Sequence, residues 1–197
     1  MKRALVVYCH PSPNSFVAAA RDRVLEALER TDVEVRLNDL YDEGFDPVVS
    51  AAERRAHLED GVDPSIRSYA DDLTWCDAVI LVYPTWWAGQ PAMLKGWMDR
   101  VWAKGIAWDL PDGADRLTPR LKNVKRLVAV TTHGSPKYIN MAEGEGGKRT
   151  LTRGLRTMCH PLARTTWLAL YNIDRCGETK RIAFLDRVSK KIEALAS

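Results

Sequence analysis

The sequence predicts an α/β fold: one domain over residues 1–197, a three-layer sandwich in which a five-stranded parallel sheet of order 2-1-3-4-5 has helices on both faces. Strand-like runs at residues 5–9, 33–37, 78–83, 127–131 and 166–170 alternate with helix-like stretches, the pattern that builds parallel sheets through crossover connections. The first, third and fourth runs are almost wholly apolar, as strands covered on both faces must be. Five strands in 197 residues fit the shorter of the two common doubly wound orders better than the six-stranded dinucleotide fold.

Each element has its own reason. The run Leu5-Val6-Val7-Tyr8-Cys9 leads into His10-Pro11-Ser12-Pro13-Asn14-Ser15-Phe16, a polar, proline-stiffened loop in front of a helix. Val17, Ala20, Val24, Leu25 and Leu28 share one face of that helix, which starts near Phe16. Residues 41–63 and 103–123 are rich in glycine, proline and charge and read as long surface excursions, which are usually functional or interfacial. The third strand enters Pro84-Thr85-Trp86-Trp87-Ala88-Gly89-Gln90-Pro91, an aromatic loop with a permissive glycine and a proline suited to a first helical turn. Thr131-Thr132-His133-Gly134-Ser135-Pro136-Lys137-Tyr138 leaves the fourth strand, and the glycine-rich stretch 144–148 reads as a mobile lid or a turn. Ile182, Leu185, Val188, Ile192 and Leu195 stripe a final helix.

Composition narrows the function classes. Hydrophobic residues make up 46% of the chain and charges of both signs 28%, an ordinary globule able to bury a sizeable core. A net charge of +3 suits anionic ligands such as phosphates, without the basic and aromatic array of a nucleic-acid binder. No run approaches the roughly 18 apolar residues of a membrane span, and the apolar start is too short for a secretory signal, so a cytoplasmic location is expected. Cys9, Cys76, Cys159 and Cys176 are scattered without a Cys-x-x-Cys pair, which predicts reduced, structural thiols and no metal site.

In an open parallel sheet the ligand crevice lies at the C-terminal ends of the strands, where three of these loops converge. The helix start after the first strand offers unpaired N–H groups and a positive dipole end, with Ser12, Asn14 and Ser15 as further donors. The same residues would serve equally as an ordinary N-cap by Asn14 or Ser15. Trp86 and Trp87 beside Gly89 offer flat aromatic surface to a flat ligand, although such indoles also cap cores and fill subunit interfaces. Backbone N–H groups after the fourth strand suit a cofactor ring on which charge accumulates, and Tyr138 is the candidate group to hydrogen-bond a hydride donor or an acceptor carbonyl. His133 by itself is a loop residue beside a glycine.

These residues together resemble the flavodoxin-like NAD(P)H:quinone oxidoreductases, the DT-diaphorase or modulator-of-drug-activity group. His10 with Ser15-Phe16 resembles the family's first-strand loop, and Leu40-Tyr41 with Phe45-Asp46-Pro47-Val48-Val49-Ser50 its second-strand extension. Pro84 through Arg100 with Val101-Trp102 resembles its signature, and Thr131-Thr132 with Gly134-Ser135 its fourth-strand motif. The resemblance covers residues 3–135; beyond them only the strand and final-helix pattern is followed.

The resemblance implies a ping-pong reductase in which a bound flavin takes hydride from NADH or NADPH and passes two electrons to a quinone or similar aromatic acceptor. It implies a homodimer with its sites at the interface, to which the excursion around Trp108 would contribute. By resemblance, Pro84, Thr85, Trp86, Trp87 and Ala88 hold the flavin, and His10, Asn14, Ser15, Phe16 and Val17 hold its phosphate. Thr131, Thr132, His133 and Gly134 face the ring. The second-strand extension resembles the FAD-binding members more than the shorter FMN-binding ones. Tyr138 meets the family's tyrosine only after a one-position shift, and the histidine that accompanies it in the family has no counterpart in residues 141–148. Lys148 and Arg149 are candidates to meet the 2′-phosphate of NADPH.

Other signals carry less. Residues 144–149 look like a phosphate-binding loop, but no Ser or Thr follows the lysine directly and two glutamates would repel phosphate. Cys159-His160 lacks a nucleophile elbow or an orienting partner. Two further functions share the fold: a flavodoxin-type electron carrier, against which the mildly basic balance speaks, and a flavoprotein regulatory subunit of a potassium efflux system, whose pattern lacks much of the 41–63 extension.

Overall fold

The computed structural model describes residues 1–56 and 63–197. The chain runs β1 (Arg3–Tyr8), α1 (Phe16–Glu29), β2 (Glu34–Asp39), α2 (Ala51–Ala56), α3 (Arg67–Trp75), β3 (Ala78–Pro84) and α4 (Ala92–Val101). It continues through β4 (Trp108–Asp109), β5 (Thr118–Pro119), β6 (Arg126–His133), α5 (Lys137–Ala142), α6 (Gly146–Arg149), β7 (Arg164–Tyr171) and α7 (Glu178–Ala196). The main sheet has the order β2-β1-β3-β6-β7 and is parallel throughout, which is the expected 2-1-3-4-5 arrangement. β4 and β5 form a separate antiparallel ribbon inside the second excursion.

Residue alternation along the strands creates two cores. Leu5, Val7, Val79, Leu81, Leu127 and Ala129 face one side, while Val6, Tyr8, Ile80, Val82, Val128 and Val130 face the other. The second side is closed by α1 and α7 through Val24, Leu28, Phe184, Val188 and Ile192. The first is closed by α3, α4 and the excursions, with Trp97 fully buried. Burial on both faces explains why the central runs show no polar alternation. β6 and β7 extend beyond the apolar runs because Thr132 and His133 are buried polar residues and β7 is an edge strand that tolerates polar positions.

The excursions are packed onto the body. Phe45 joins the core, and Pro47 lies so close to α4 that a Cβ added to Gly96 would come within 2.3 Å of the proline Cβ. Arg100 of α4 reaches back to Glu53 of α2, with Nε 2.8 and 2.9 Å from its two carboxylate oxygens. Residues 57–62 of the 41–63 excursion lie outside the described residues. In the second excursion Ile106, Ala107 and Leu121 are buried, and the Trp108 indole N–H donates to Trp102 O at 2.7 Å, which seats that ring on its own chain's core.

All four cysteines are free, and burial pushes the thiols of Cys9, Cys76 and Cys159 up to about 12. Among the described residues no helix is long and apolar enough to cross a membrane, and no cluster of side chains is suited to hold a metal ion.

Candidate active site

The loops leaving β1, β3 and β6 meet at the C-terminal edge of the sheet. After β1, Ser15 caps α1, its Oγ accepting the Ala18 N–H at 3.0 Å, so the N-cap is real. It leaves the N–H groups of Phe16 and Val17 with no acceptor among the described residues, at the positive end of the helix dipole. The Ser15 cap and the two open N–H groups therefore coexist. The side chains of this loop have separate duties. Val17 is buried in the core and the Phe16 ring packs 6.1 Å from that of Phe184, so it is their backbone N–H groups that remain open at the loop. Ser12 N–H donates to His10 Nδ1 at 3.0 Å, and the imidazole lies 6.4 Å from the Trp86 ring, joining the β1 loop to the tryptophan loop. Asn14 is exposed.

Pro84 closes β3 opposite Thr132, and Pro91 stands at the N-cap of α4, one residue ahead of the first turn. Between them Trp86 and Gly89 exchange N–H···O bonds of 3.1 and 3.0 Å, a two-residue hairpin turn. Its central residues, Trp87 and Ala88, have φ of +49° and +57°. Such turns favour Asn-Gly, and two L side chains held there cost on the order of 1 kcal/mol or more each. The segment 144–148 braces this strained turn. Gly147 N–H donates to Ala88 O at 3.0 Å and Gln90 Nε2 donates to Gly147 O at 2.8 Å. The expected lid or turn is a turn at Gly144 that leads into the short helix α6, docked on the tryptophan loop. Lys148 is tied to Glu145 at 2.9 Å. Trp86 is 43% exposed, and the Trp87 residue stands 103% exposed at the tip.

At the end of β6, Thr131, Thr132 and His133 are all buried, so His133 is a strand residue and not a loop residue. Thr85 ties the two loops together. Its N–H donates to Thr132 O at 2.7 Å and its Oγ1 lies 3.0 Å from Thr131 Oγ1 and 3.4 Å from His133 Nε2. On the far side of the ring, Asn140 Nδ2 donates to Pro136 O at 2.9 Å, which leaves Asn140 Oδ1 to accept from His133 Nδ1 at 2.6 Å. The proton is thereby assigned to Nδ1 and the lone pair of Nε2 faces the Thr85 hydroxyl. Burial holds the imidazole below its usual value, with Asn140 and Glu145 opposing in part, so His133 is neutral at pH 7. It stacks on Tyr171 with ring centres 4.6 Å apart.

A cleft of about 510 Å³ lies between these loops, its walls including Thr85, Trp86, Trp87, His133 and Gly134. The N–H groups of Trp87, Ala88, Gly134 and Ser135 have no acceptor among the described residues. A Cβ at Gly134 would come 2.8 Å from Asp174 Oδ2, so that exposed carboxylate would have to shift. Flat aromatic surface with backbone donors on the β3 loop, and further donors on the facing β6 loop, fit a planar heterocycle edged with carbonyl and nitrogen acceptors, such as a flavin ring. Tyr138 does not join this lining: it is 71% exposed on α5. Asn140 and Glu143 of the same region do line the cleft and were not singled out in the sequence. Their three-residue spacing would have revealed them only if residues 137–142 had been read as a helix.

Comparison with known proteins agrees with this geometry. The family model described as "Flavodoxin-like fold" matches residues 2–192. An "Uncharacterized NAD(P)H oxidoreductase" of Haemophilus influenzae is 30% identical over 96% of this chain and 94% of its own. The "NAD(P)H dehydrogenase [quinone] 1" of Cavia porcellus is 31% identical over 72% of this chain, which spans 57% of that enzyme's length. Among solved structures, Smu.1420 from Streptococcus mutans superposes with a TM-score of 0.86 at 29% identity, covering 98% of this chain and 99% of that one. An FMN-dependent NADH-azoreductase from Bacillus anthracis, solved with FMN, shares the fold with a TM-score of 0.78 at 14% identity and full coverage of both chains, 100% each. With its sheet order, its tryptophan loop and these matches in agreement, the chain belongs to the flavodoxin-like NAD(P)H:quinone oxidoreductase family.

Proposed function

We propose that the protein is a flavin-dependent NAD(P)H oxidoreductase that delivers two electrons, as hydride, to a quinone or similar flat aromatic acceptor. The observation that carries this is the set of four unpartnered N–H groups, at Trp87, Ala88, Gly134 and Ser135, around one cleft walled by indoles. The bound flavin supplies the reversible hydride chemistry itself. The chain's own residues position and polarise it. The Phe16 and Val17 N–H groups, with Asn14 and Ser15 beside them and His10 flanking, hold its phosphate at the start of α1. Thr85, Trp86 and Ala88 hold one edge of the ring, and the backbone from Thr131 to Gly134 faces the other, with donors aimed where negative charge develops. His133, neutral and fixed at both nitrogens, keeps Thr85 and Thr131 in place.

The finer assignments rest on the same resemblance and on exposure. Tyr138 is the proposed partner of the acceptor carbonyl, an exposed phenol on the outer side of α5. A homodimer with sites at its interface is supported by the Trp87 indole, whose full exposure leaves a large apolar surface for a second copy to cover. FAD is the proposed flavin because the extension after β2, with Phe45 packed in the core, resembles the FAD-binding members. The chain is proposed to act as one domain in the cytoplasm.

The test is a visible spectrum of the purified protein under anaerobic conditions, first with NADPH and then with a quinone. Flavin bands that bleach with NADPH and return with quinone are expected, and chromatography of the released flavin distinguishes FAD from FMN. A protein that stays colourless and takes up no added flavin overturns the proposal.

A further inference from the structure

A second cleft, of about 500 Å³, opens at the other end of the sheet, among Lys2, Lys125, Arg126, Arg164 and His160, with Asp77 as its one acid. We propose that it binds a small phosphate-rich anion, either inorganic polyphosphate or the polyphosphate chain of a nucleotide.

The argument begins with strand register. Arg126 of β6 and Arg164 of β7 are direct partners across a parallel pair, so their side chains leave the same face about 4.8 Å apart. Like charges directly opposite on neighbouring strands destabilise the pairing. Lys125 adjoins them, its carbonyl accepting the Arg164 N–H at 3.0 Å, which fixes the third cation beside the pair. Among the described residues none of these four cations has a carboxylate within 4.0 Å. Some arginines elsewhere are ion-paired, as in Arg30 with Glu193 and Arg36 with Asp72.

One oxygen of the single acid is committed: Asp77 Oδ2 accepts the Lys2 N–H at 2.8 Å, while its Oδ1 is buried with no hydrogen-bond partner among the described residues. Its backbone carbonyl also accepts the N–H groups of Lys125 and Arg126, at 2.8 and 3.3 Å, so the floor of the cleft is cross-linked by hydrogen bonds. His160 Nδ1 accepts the Leu162 N–H at 3.1 Å, which leaves its Nε2 as a proton donor. Four cations against one carboxylate concentrate here a surplus equal to the whole chain's net charge of +3. Helix C-termini at this end of a doubly wound sheet favour scattered positive charge, but they do not account for two arginines in register with no acid between them. Guanidinium forks and ammonium groups converging on a rigid concave floor are suited to phosphate oxygens.

The experiment is calorimetric titration of the purified protein at about 50 mM salt, where screening is modest, with sodium tripolyphosphate and, separately, with ATP. Saturable binding of one tripolyphosphate is expected. It should weaken about tenfold in Arg126→Gln/Arg164→Gln, as for the loss of a charge-assisted bidentate contact, and change less than about twofold in Lys190→Gln/Lys191→Gln, which removes the same charge from α7. ATP binding as well identifies nucleotides as a source, and binding of tripolyphosphate alone identifies the inorganic anion; both support the site. Arg164→Gln alone, at the exposed first position of β7, gives the same direction with less risk to folding, which a melting curve monitors. Lack of saturable binding, equal weakening in both double variants, or competition between the anion and flavin overturns the proposal. Because the cleft lies away from the flavin site, the titration gives its answer whether or not flavin is bound.

Discussion

His133 gives its Nδ1 proton to Asn140 Oδ1 at 2.6 Å while its other nitrogen faces the Thr85 hydroxyl at 3.4 Å, so a buried imidazole links the β3 loop to α5. Burial lowers its pKa in the folded protein, whereas in the unfolded chain it titrates near the ordinary value of roughly 6.5. Above that value neither state binds the proton and the native contacts count in full. As pH falls from there towards the lower folded value, only the unfolded chain takes the proton and stability is lost. Thermal denaturation between about pH 7 and pH 5 should therefore show a larger fall in Tm for the wild type than for His133→Gln. Equal falls would remove His133 as the source of the linkage.

Every nitrogen of the Arg100 guanidinium has an acceptor: Nε serves both oxygens of Glu53, Nη1 donates to Asp46 O at 2.6 Å and Nη2 to Ser65 Oγ at 2.8 Å. One side chain of α4 thus holds three parts of the chain that follow β2. Glu53→Ala leaves the buried cation without its main partner, and the expected cost is about 3–5 kcal/mol, read from urea denaturation. A cost below about 1 kcal/mol would mean that water reaches and solvates Arg100.

Gly96→Ala tests the close contact between α4 and the β2 extension. Alanine is the better helix former by about 1 kcal/mol, so on an open helix the change would stabilise. Here the new methyl would stand 2.3 Å from Pro47 Cβ and 2.4 Å from Pro47 O, and backbone cannot swing aside as a long side chain can. Overpacking of this kind typically costs about 1–3 kcal/mol, so a lower Tm is expected in spite of the helix propensity. A raised Tm would show that the extension moves away from α4 at little cost.

The two-faced burial of β1, β3 and β6 made the sheet legible, because continuous apolar runs separated by amphipathic helices leave few other architectures. The loop positions followed from strand order alone. The partners that shape the site were not legible. Asn140 finds His133 seven residues away across a strand end and a helix start, and Arg100 finds Glu53 across 47 positions, separations over which no local pattern operates. His133 beside Gly134 has the local chemistry of a loop, and only its pairing opposite Tyr171 on β7 makes it a buried strand residue. The sequence places Phe16 and Val17 at the start of α1, but amphipathicity does not say that their side chains belong to the core and only their N–H groups to the loop.

The thiols offer a separate check on packing. Cys9, Cys76 and Cys159 are buried and pushed up to about 12, far from the thiolate form at neutral pH, whereas Cys176 is partly exposed. Since the thiolate is the reactive species, a thiol reagent at about pH 8 should modify no more than one cysteine per native chain and all of them after unfolding. Rapid modification of a second thiol in the native state would expose an opening motion near that cysteine.

Trp87 combines a left-handed backbone, φ of +49°, with a fully exposed indole, so its two contributions pull in opposite directions. Trp87→Gly removes no core contact and relieves a conformation that glycine adopts freely, for a change in stability between zero and a gain of about 1 kcal/mol. The same substitution removes the indole from the cleft wall, and loss of an aromatic stacking partner should weaken binding of a flat ligand by about 0.5–1.5 kcal/mol, roughly two- to tenfold. Melting of the flavin-free protein together with titration of flavin and of a quinone separates the two effects. Higher or equal Tm with weaker binding is the expected pair of results. If Trp87 instead capped the core, truncation would cost several degrees of Tm, and its assignment to the ligand wall would fail.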